Sequence, residues 1–280
     1  MKSTDHHFQT AETFYQKEKW DLDSWFEITQ IDYKKLLEQY PFEKMLAAFG
    51  KSQINLLDIG CGVGKFPSLL DGRIFGDIHL SSDLLDVSIY CLQVAQQKIN
   101  MLEHFSLNQT YLSGVENIDS IIPKTRIYDL IWSIHSLYTV DQDKMGSVFQ
   151  SCLKLLSPEG KFLIYQLSKD SFYHEIHDFY LKNYPLPINH PQHFMTAEDS
   201  QTILESLGLN YQIIPIRFNH TVNCERRYLL EVYLKMCVLN HETDDVLLLF
   251  QNLLSKYFDK QTNQYKFPQT VKLLVIDSNL

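Results

Sequence analysis

At 280 residues, with 45% hydrophobic and 13% aromatic side chains, the chain can bury a sizeable core as one large domain with elaborations. Its 25 Lys+Arg against 34 Asp+Glu leave a formal charge of −9, so a nucleic acid would meet net repulsion, and only short pairs such as Lys34-Lys35 and Arg226-Arg227 oppose it. No apolar run approaches the ~20 residues that span a bilayer, Met1 to His7 lacks the apolar stretch of a signal peptide, and the five scattered cysteines contain no C-x-x-C, which argues against a disulfide framework or a zinc site. The expected compartment is cytoplasmic and the expected partner a small molecule, with no membrane and no nucleic acid.

The first fifty residues carry Phe14, Tyr15, Trp20, Trp25, Phe26, Tyr33 and Tyr40 among charged residues, the pattern of amphipathic helices packing on something larger. Residues 1–50 are therefore read as a helical lid or cap. Next, a strand over Ile54 to Asp58 runs into Gly60-Cys61-Gly62-Val63-Gly64, and a helix starts at about Lys65. Alternate glycines let a backbone take φ > 0 and approach a ligand closely, while free N–H groups at a helix start favour a polar or anionic group. The spacing is G-x-G-x-G, distinct from the G-x-G-x-x-G dinucleotide fingerprint.

Ile78 to Leu85 reads as a second strand ending at Asp86, and Ile89 to about His104 as a helix. Asp86 stands where it can serve a ligand or cap that helix in Asp86-Val87-Ser88, with Asp83 as the competing acid. Strand-like Tyr111-Leu112 leads into the turn Gly114-Val115-Glu116, and Tyr128 to Ile134 is a buried strand. A helix over Lys144 to Leu156 ends in the turn Ser157-Pro158-Glu159-Gly160, before a strand over Lys161 to Leu167. Such alternation implies an α/β fold with a doubly wound parallel sheet and a ligand at the carboxyl ends of its strands. Farther on, Tyr228 to Val238 and Val246 to Phe258 read as amphipathic helices that complete an acceptor pocket or form a dimer face, which leaves monomer and homodimer both open.

The run Asp58 to Gly64 resembles motif I of the class I S-adenosylmethionine methyltransferases. Tyr128 to Trp132 resembles their fourth strand, and Leu155 to Ile164 their helix, L-x-P-G-G turn and fifth strand, with Glu159 replacing the first glycine of that turn. The resemblance implies a Rossmann-like, mostly parallel seven-stranded sheet over residues 51–280, with acceptor-site helices inserted at about 168–265. It implies S-adenosylmethionine as cofactor, held by Asp58, Gly60, Gly62, Gly64, Asp86, Glu116 and Ile134, with Asp86 accepting from the ribose hydroxyls.

Ile134-His135-Ser136-Leu137-Tyr138-Thr139-Val140 is similar to the matching stretch of the histamine N-methyltransferase family, whose pattern is isoleucine, glutamine, two spacers, tyrosine, tyrosine, valine. Scattered likeness continues in Met195 to Asp199, in the helix ending Leu204 to Tyr211, and in Phe267 to Asp277. This implies methyl transfer to a nitrogen of a small amine or imidazole, with His135, Tyr138, His193, Gln269 and Glu27 on the substrate and His135 and Glu27 taking up its proton. His135 and His193 stand where that family has glutamines, and Gln269 where it has an asparagine. An imidazole presents one donor and one acceptor in fixed positions, unlike an amide, so the pocket departs from one built for histamine. Rival readings are a small-molecule O- or C-methyltransferase with His135 as base, and an inactive binding protein on the same fold. His174-x-x-His177 and His190-x-x-His193 lack a third ligand at suitable spacing, so no metal is expected.

Overall fold

The computed structural model describes residues 21–184, 194–240 and 243–278. In chain order its elements are α1 (Leu22–Gln39), α2 (Phe42–Ala48), β1 (Gln53–Ile59), α3 (Lys65–Leu70), β2 (His79–Asp86), α4 (Ile89–Ile99), β3 (Phe105–Leu112), α5 (Ile118–Ile121), β4 (Tyr128–Ile134), α6 (Gln142–Lys154) and β5 (Leu156–Leu167). They continue as α7 (Phe172–Asn183), α8 (Ala197–Ser206), β6 (Gln212–Asn223), α9 (Arg227–Cys237), α10 (Val246–Leu249), α11 (Gln251–Lys256), β7 (Phe258–Asp259) and β8 (Gln264–Asp277).

The strands form one sheet in the order β3-β2-β1-β4-β5-β8-β6, and the two-residue β7 pairs on β8. Neighbours from β3 to β5 are parallel, and β8 is antiparallel to both β5 and β6. This is the mostly parallel, doubly wound sheet that the alternating pattern implies, with β7 as a short addition to the seven. Because β4 is covered on both faces, every one of its residues is buried, as a central parallel strand requires. Leu130, Trp132 and Ile134 face one apolar layer with Leu36, Phe42, Phe66 and Leu92. Ile131 faces the other, with Val148, Phe149, Phe162 and Leu204. A third apolar cluster, built on Phe172, Tyr233, Phe250 and Phe267, gathers α7, α9, α10 and α11 beside the sheet.

Several boundaries differ from the sequence reading. α4 stops at Ile99, and β3 covers the whole of Phe105–Leu112 rather than its last two residues; as a half-exposed edge strand it carries Ser106, Asn108 and Gln109, which blur the apolar alternation. The turn expected at Ser157 to Gly160 lies within β5. There the register on β4 jumps from Tyr128 opposite Leu156 to Leu130 opposite Lys161, so Ser157 to Gly160 bulge out of the ladder. The single helix read over Val246 to Phe258 is broken at Phe250 into α10 and α11. No helix among the described residues is long and apolar enough to cross a membrane.

Candidate active site

The carboxyl ends of β1, β2 and β4 open onto a cavity of about 270 Å³, closed on its far side by α1 and bordered by residues of α7 and α9. Gly60, Gly62 and Gly64 take φ of 65°, 51° and 68°, in the left-handed region that a Cβ disfavours. They are not equivalent. A Cβ on Gly60 would overlap the side chain of Ser136, and one on Gly64 would press on the Ala95 backbone at 3.2 Å. At Gly62, which lines the cavity, a Cβ would meet no protein atom within 4 Å.

The turn's N–H groups are less free than the sequence suggests. Gly60 and Cys61 donate to the Leu85 carbonyl at 2.7 and 3.3 Å, and Gly64 donates to Cys61 at 3.1 Å. Gly62 donates to Asp86 Oδ2 at 2.9 Å. The turn is thus a shape for close approach, cross-tied to the end of β2.

Asp86 Oδ1 also accepts from Ser88 N at 2.9 Å. Capping of α4 falls to Ser88, whose hydroxyl accepts from Cys91 N at 3.2 Å. A carboxylate offers about four lone-pair sites, so Asp86 keeps acceptor capacity towards the cavity it lines. Burial raises its pKa against the backbone N–H bonds from Ser88, Gly62 and Val87 that lower it. Asp58, also buried, is pushed up to about 7 by desolvation, with Asp86 adding to the rise and Trp132 opposing it. Asp83 has no place in this cavity: it accepts from Arg126 Nε at 2.9 Å, Tyr128 Oη at 2.6 Å and Asn108 Nδ2 at 2.6 Å, a structural cluster between β2, β3 and β4.

Beyond Ile134 the chain turns at His135, whose φ is 58°, an uncommon conformation for a residue with a Cβ. Its N–H donates to the Tyr165 carbonyl at 2.9 Å, its ring stands edge-on to Tyr165 with centroids 4.7 Å apart, and its Nδ1 is hydrogen-bonded to the Tyr138 hydroxyl. Burial pushes the imidazole down to about 4, although Asp32 pulls it up. The nearer wall is aromatic: Tyr138 stacks on Phe194 at 4.6 Å, and Trp25, Phe26, Tyr33 and Tyr173 line the same space.

The structure therefore brings Asp58, Gly60, Gly62, Asp86, Glu116, Ile134, His135 and Tyr138 to one cavity. Gly64, Glu27 and Gln269 are not among the residues that line it. Glu27 is exposed on α1 and ion-paired with Arg226; it stands five residues from Asp32, which is about 140° around a helix, and Asp32 is the acid that lines the cavity. Gln269 is buried, with Oε1 accepting from Ser171 and Nε2 donating to Tyr233 Oη at 3.1 Å, so neither end of its amide turns to the cavity. His193 and His190 lie outside the described residues. Two residues the sequence reading passed over are Asp32 and His220. Asp32 shares the buried stripe of α1 with Ile28, Thr29 and Leu36, and His220 sits in the inward row of β6 with Ile216 and Val222. A carboxylate on an apolar helix face and an imidazole in an inward strand row were the available signals.

Similar solved structures share this fold at low sequence identity. The plantazolicin methyltransferase BpumL, solved with SAH, matches at a TM-score of 0.54 and 15% identity over 97% of this chain and 95% of that one. The magnesium protoporphyrin IX methyltransferase of Synechocystis PCC 6803, with bound SAH, matches at 0.53 and 10% identity over 96% and 99%. A putative methyltransferase from Bacillus halodurans C-125 matches at 0.57 and 12% identity over 85% and 98%. No curated protein matches by sequence. A family model described as "Methyltransferase domain" matches residues 33–212, a span from within α1 to the start of β6 that carries every residue named above on the cavity wall except Trp25, Phe26 and Asp32. Most of the chain thus follows that model, and the protein belongs to the methyltransferase-domain family.

Proposed function

We propose that this protein is a S-adenosylmethionine-dependent methyltransferase acting on a nitrogen of a small amine or imidazole-type acceptor. The cofactor half of the reading is supported by donor chemistry: the open face of Gly62 admits a ligand in close approach, and the spare lone pairs of Asp86 suit a pair of ribose hydroxyls. Glu116 and Ile134 line the rest of that half. S-adenosylmethionine, when bound, supplies a methyl group on a sulfonium centre.

The observation that carries the acceptor half is His135, a neutral imidazole held at the cavity wall in a left-handed backbone conformation and bonded to Tyr138. A neutral ring can take up the proton that a nitrogen sheds on methylation. The aromatic wall of Trp25, Phe26, Tyr33 and Tyr173 would exclude water and receive a flat or cationic acceptor. Alignment supplies much of the rate, since holding reacting atoms about 3–3.5 Å apart removes a large entropic cost.

The test is mass-spectrometric detection of S-adenosylhomocysteine and methylated product after incubation with S-adenosylmethionine and a panel of amines, imidazoles, phenols and small carboxylates. A methylated amine or imidazole is the expected result. Methylation of phenols or acids alone would overturn the nitrogen reading and leave the cofactor reading in place. Failure to bind S-adenosylmethionine would overturn both.

A further inference from the structure

From the cavity wall inward, five side chains from four segments form one chain of polar contacts. Asp32 of α1 sits at its centre, 3% exposed. One carboxylate oxygen lies 3.4 Å from His135 Nε2, and the other is hydrogen-bonded to His220 Nε2 of β6. On the outer side, His135 Nδ1 meets the Tyr138 hydroxyl. On the inner side, His220 Nδ1 lies 3.0 Å from the hydroxyl of Tyr233 in α9, which accepts in turn from Gln269.

The order Tyr-His-Asp-His-Tyr has a consistent assignment of protons. A carboxylate only accepts, so each Nε2 facing Asp32 carries a proton and each Nδ1 accepts from its tyrosine. The Tyr138 hydroxyl, which also accepts from Leu167 N at 3.3 Å, is left to donate to His135. His220 is fully buried and lies off the cavity, so it cannot touch an acceptor held there. It does pin the carboxylate that faces His135.

We propose that Asp32 and His220 are positioning residues for methyl transfer: His220 clamps Asp32, and Asp32 holds His135 with its Nδ1 lone pair turned to Tyr138. This rests on the acceptor-site role proposed above for His135 and Tyr138. The acceptor nitrogen's lone pair forms the new N–C bond, and the pair of the broken C–S bond stays on sulfur. The N–H proton passes to the Tyr138 oxygen as the hydroxyl's own proton moves to His135 Nδ1, so the positive charge ends on an imidazolium paired with Asp32. Around this pair stand Tyr33 of α1, Tyr165 of β5, Tyr173 of α7, and Tyr233 and Cys237 of α9.

The first readout needs neither cofactor nor acceptor. Nitrogen-15 spectra of the histidine rings in the ligand-free protein are expected to show His135 and His220 as Nε2–H tautomers. Asp32→Asn places an amide N–H against one ring and should drive that ring to the Nδ1–H form. The second readout is kinetic. His220→Leu should lower kcat on the order of 100-fold with KM and S-adenosylhomocysteine affinity held. His220→Gln, which keeps an N–H donor, should recover most of the loss, and Tyr233→Phe offers a milder change to the same clamp. In Asp32→Asn the acid limb of the kcat profile should move to lower pH, because the anion that favours protonation of His135 is gone. An Nδ1–H tautomer of His135 in the unmodified protein, or an unchanged kcat in His220→Leu, would overturn the proposal. Should the protein methylate no nitrogen, the functional reading fails while the tautomers still decide whether Asp32 and His220 set the ring.

Discussion

Gly60 and Ser136 are packed so closely that a Cβ on the glycine would overlap the serine side chain, and Ser136 Oγ donates to the Ile59 carbonyl at 2.6 Å. The turn after β1 and the turn after β4 are therefore one packed unit, the first facing the proposed cofactor and the second carrying His135. Gly60→Ala should destabilise the fold by about 2–4 kcal/mol, combining overpacking with a left-handed alanine. Gly62→Ala carries the conformational cost alone, about 1–2 kcal/mol, and projects a methyl group into open space. Its main effect should be weaker S-adenosylhomocysteine binding. Urea unfolding and titration calorimetry on the two variants separate these outcomes, and equal stability losses would contradict the distinction.

Asp86 and Asp83 stand in one strand and should behave in opposite ways. Asp86→Asn should weaken S-adenosylhomocysteine binding by at least tenfold with a modest change in Tm, since one amide oxygen can still accept an N–H. Asp83→Asn strips a buried partner from Arg126 and Tyr128, and breaking such a cluster costs about 3–5 kcal/mol. Binding by the protein that remains folded should be unchanged. Calorimetry beside thermal unfolding checks both.

Two buried groups give stability opposing dependences on pH. Asp58 rises from 3.8 to about 7 on folding, so its contribution is present at low pH and is lost as pH climbs through 7. His135 falls from 6.5 to about 4, so its contribution is present above 6.5 and is lost as pH drops through 4. Between pH 4 and 6.5 each has a slope of up to about 1.4 kcal/mol per pH unit, with opposite sign. Relative to the unmodified protein, Asp58→Asn should gain stability as pH rises over this interval and His135→Asn should lose it. Urea midpoints at several pH values test the signs, and parallel curves would show that the shifts are wrong.

Glu27→Ala should leave acceptor KM and turnover unchanged, because the side chain is exposed and its partner is the equally exposed Arg226. Thr29→Val, on the cavity-lining face of the same helix, should alter KM. Steady-state kinetics with whichever acceptor the panel assay turns over compares them directly.

What could be read from the residues follows the physics of each segment. The glycine turn, Asp86 and β4 were legible because close backbone approach and two-sided burial restrict residue choice locally. β3 and β6 were not: β3 is an edge strand with polar residues, and β6 alternates exposed residues with a few buried ones, among them His220. Within α1, Glu27 and Asp32 are both acids on an amphipathic helix, and only its rotation about its axis decides which enters the cavity. Gln269 reads as a pocket residue from its place in β8, yet its amide is consumed by Ser171, just before α7, and by Tyr233 of α9, both distant in the chain.

The sheet order has a consequence for biosynthesis. Among the described residues β6 pairs with no strand but β8, and β8 emerges from the ribosome after it. β1 to β5 can therefore align during translation, while β6, and His220 with it, must wait some forty residues for its partner. The strand pairing that completes the Asp32 clamp is thus the long-range, slow class of contact. A nascent chain halted between β6 and β8 would hold the glycine turn and Asp86 in register yet leave Asp32 without the β-strand that anchors it.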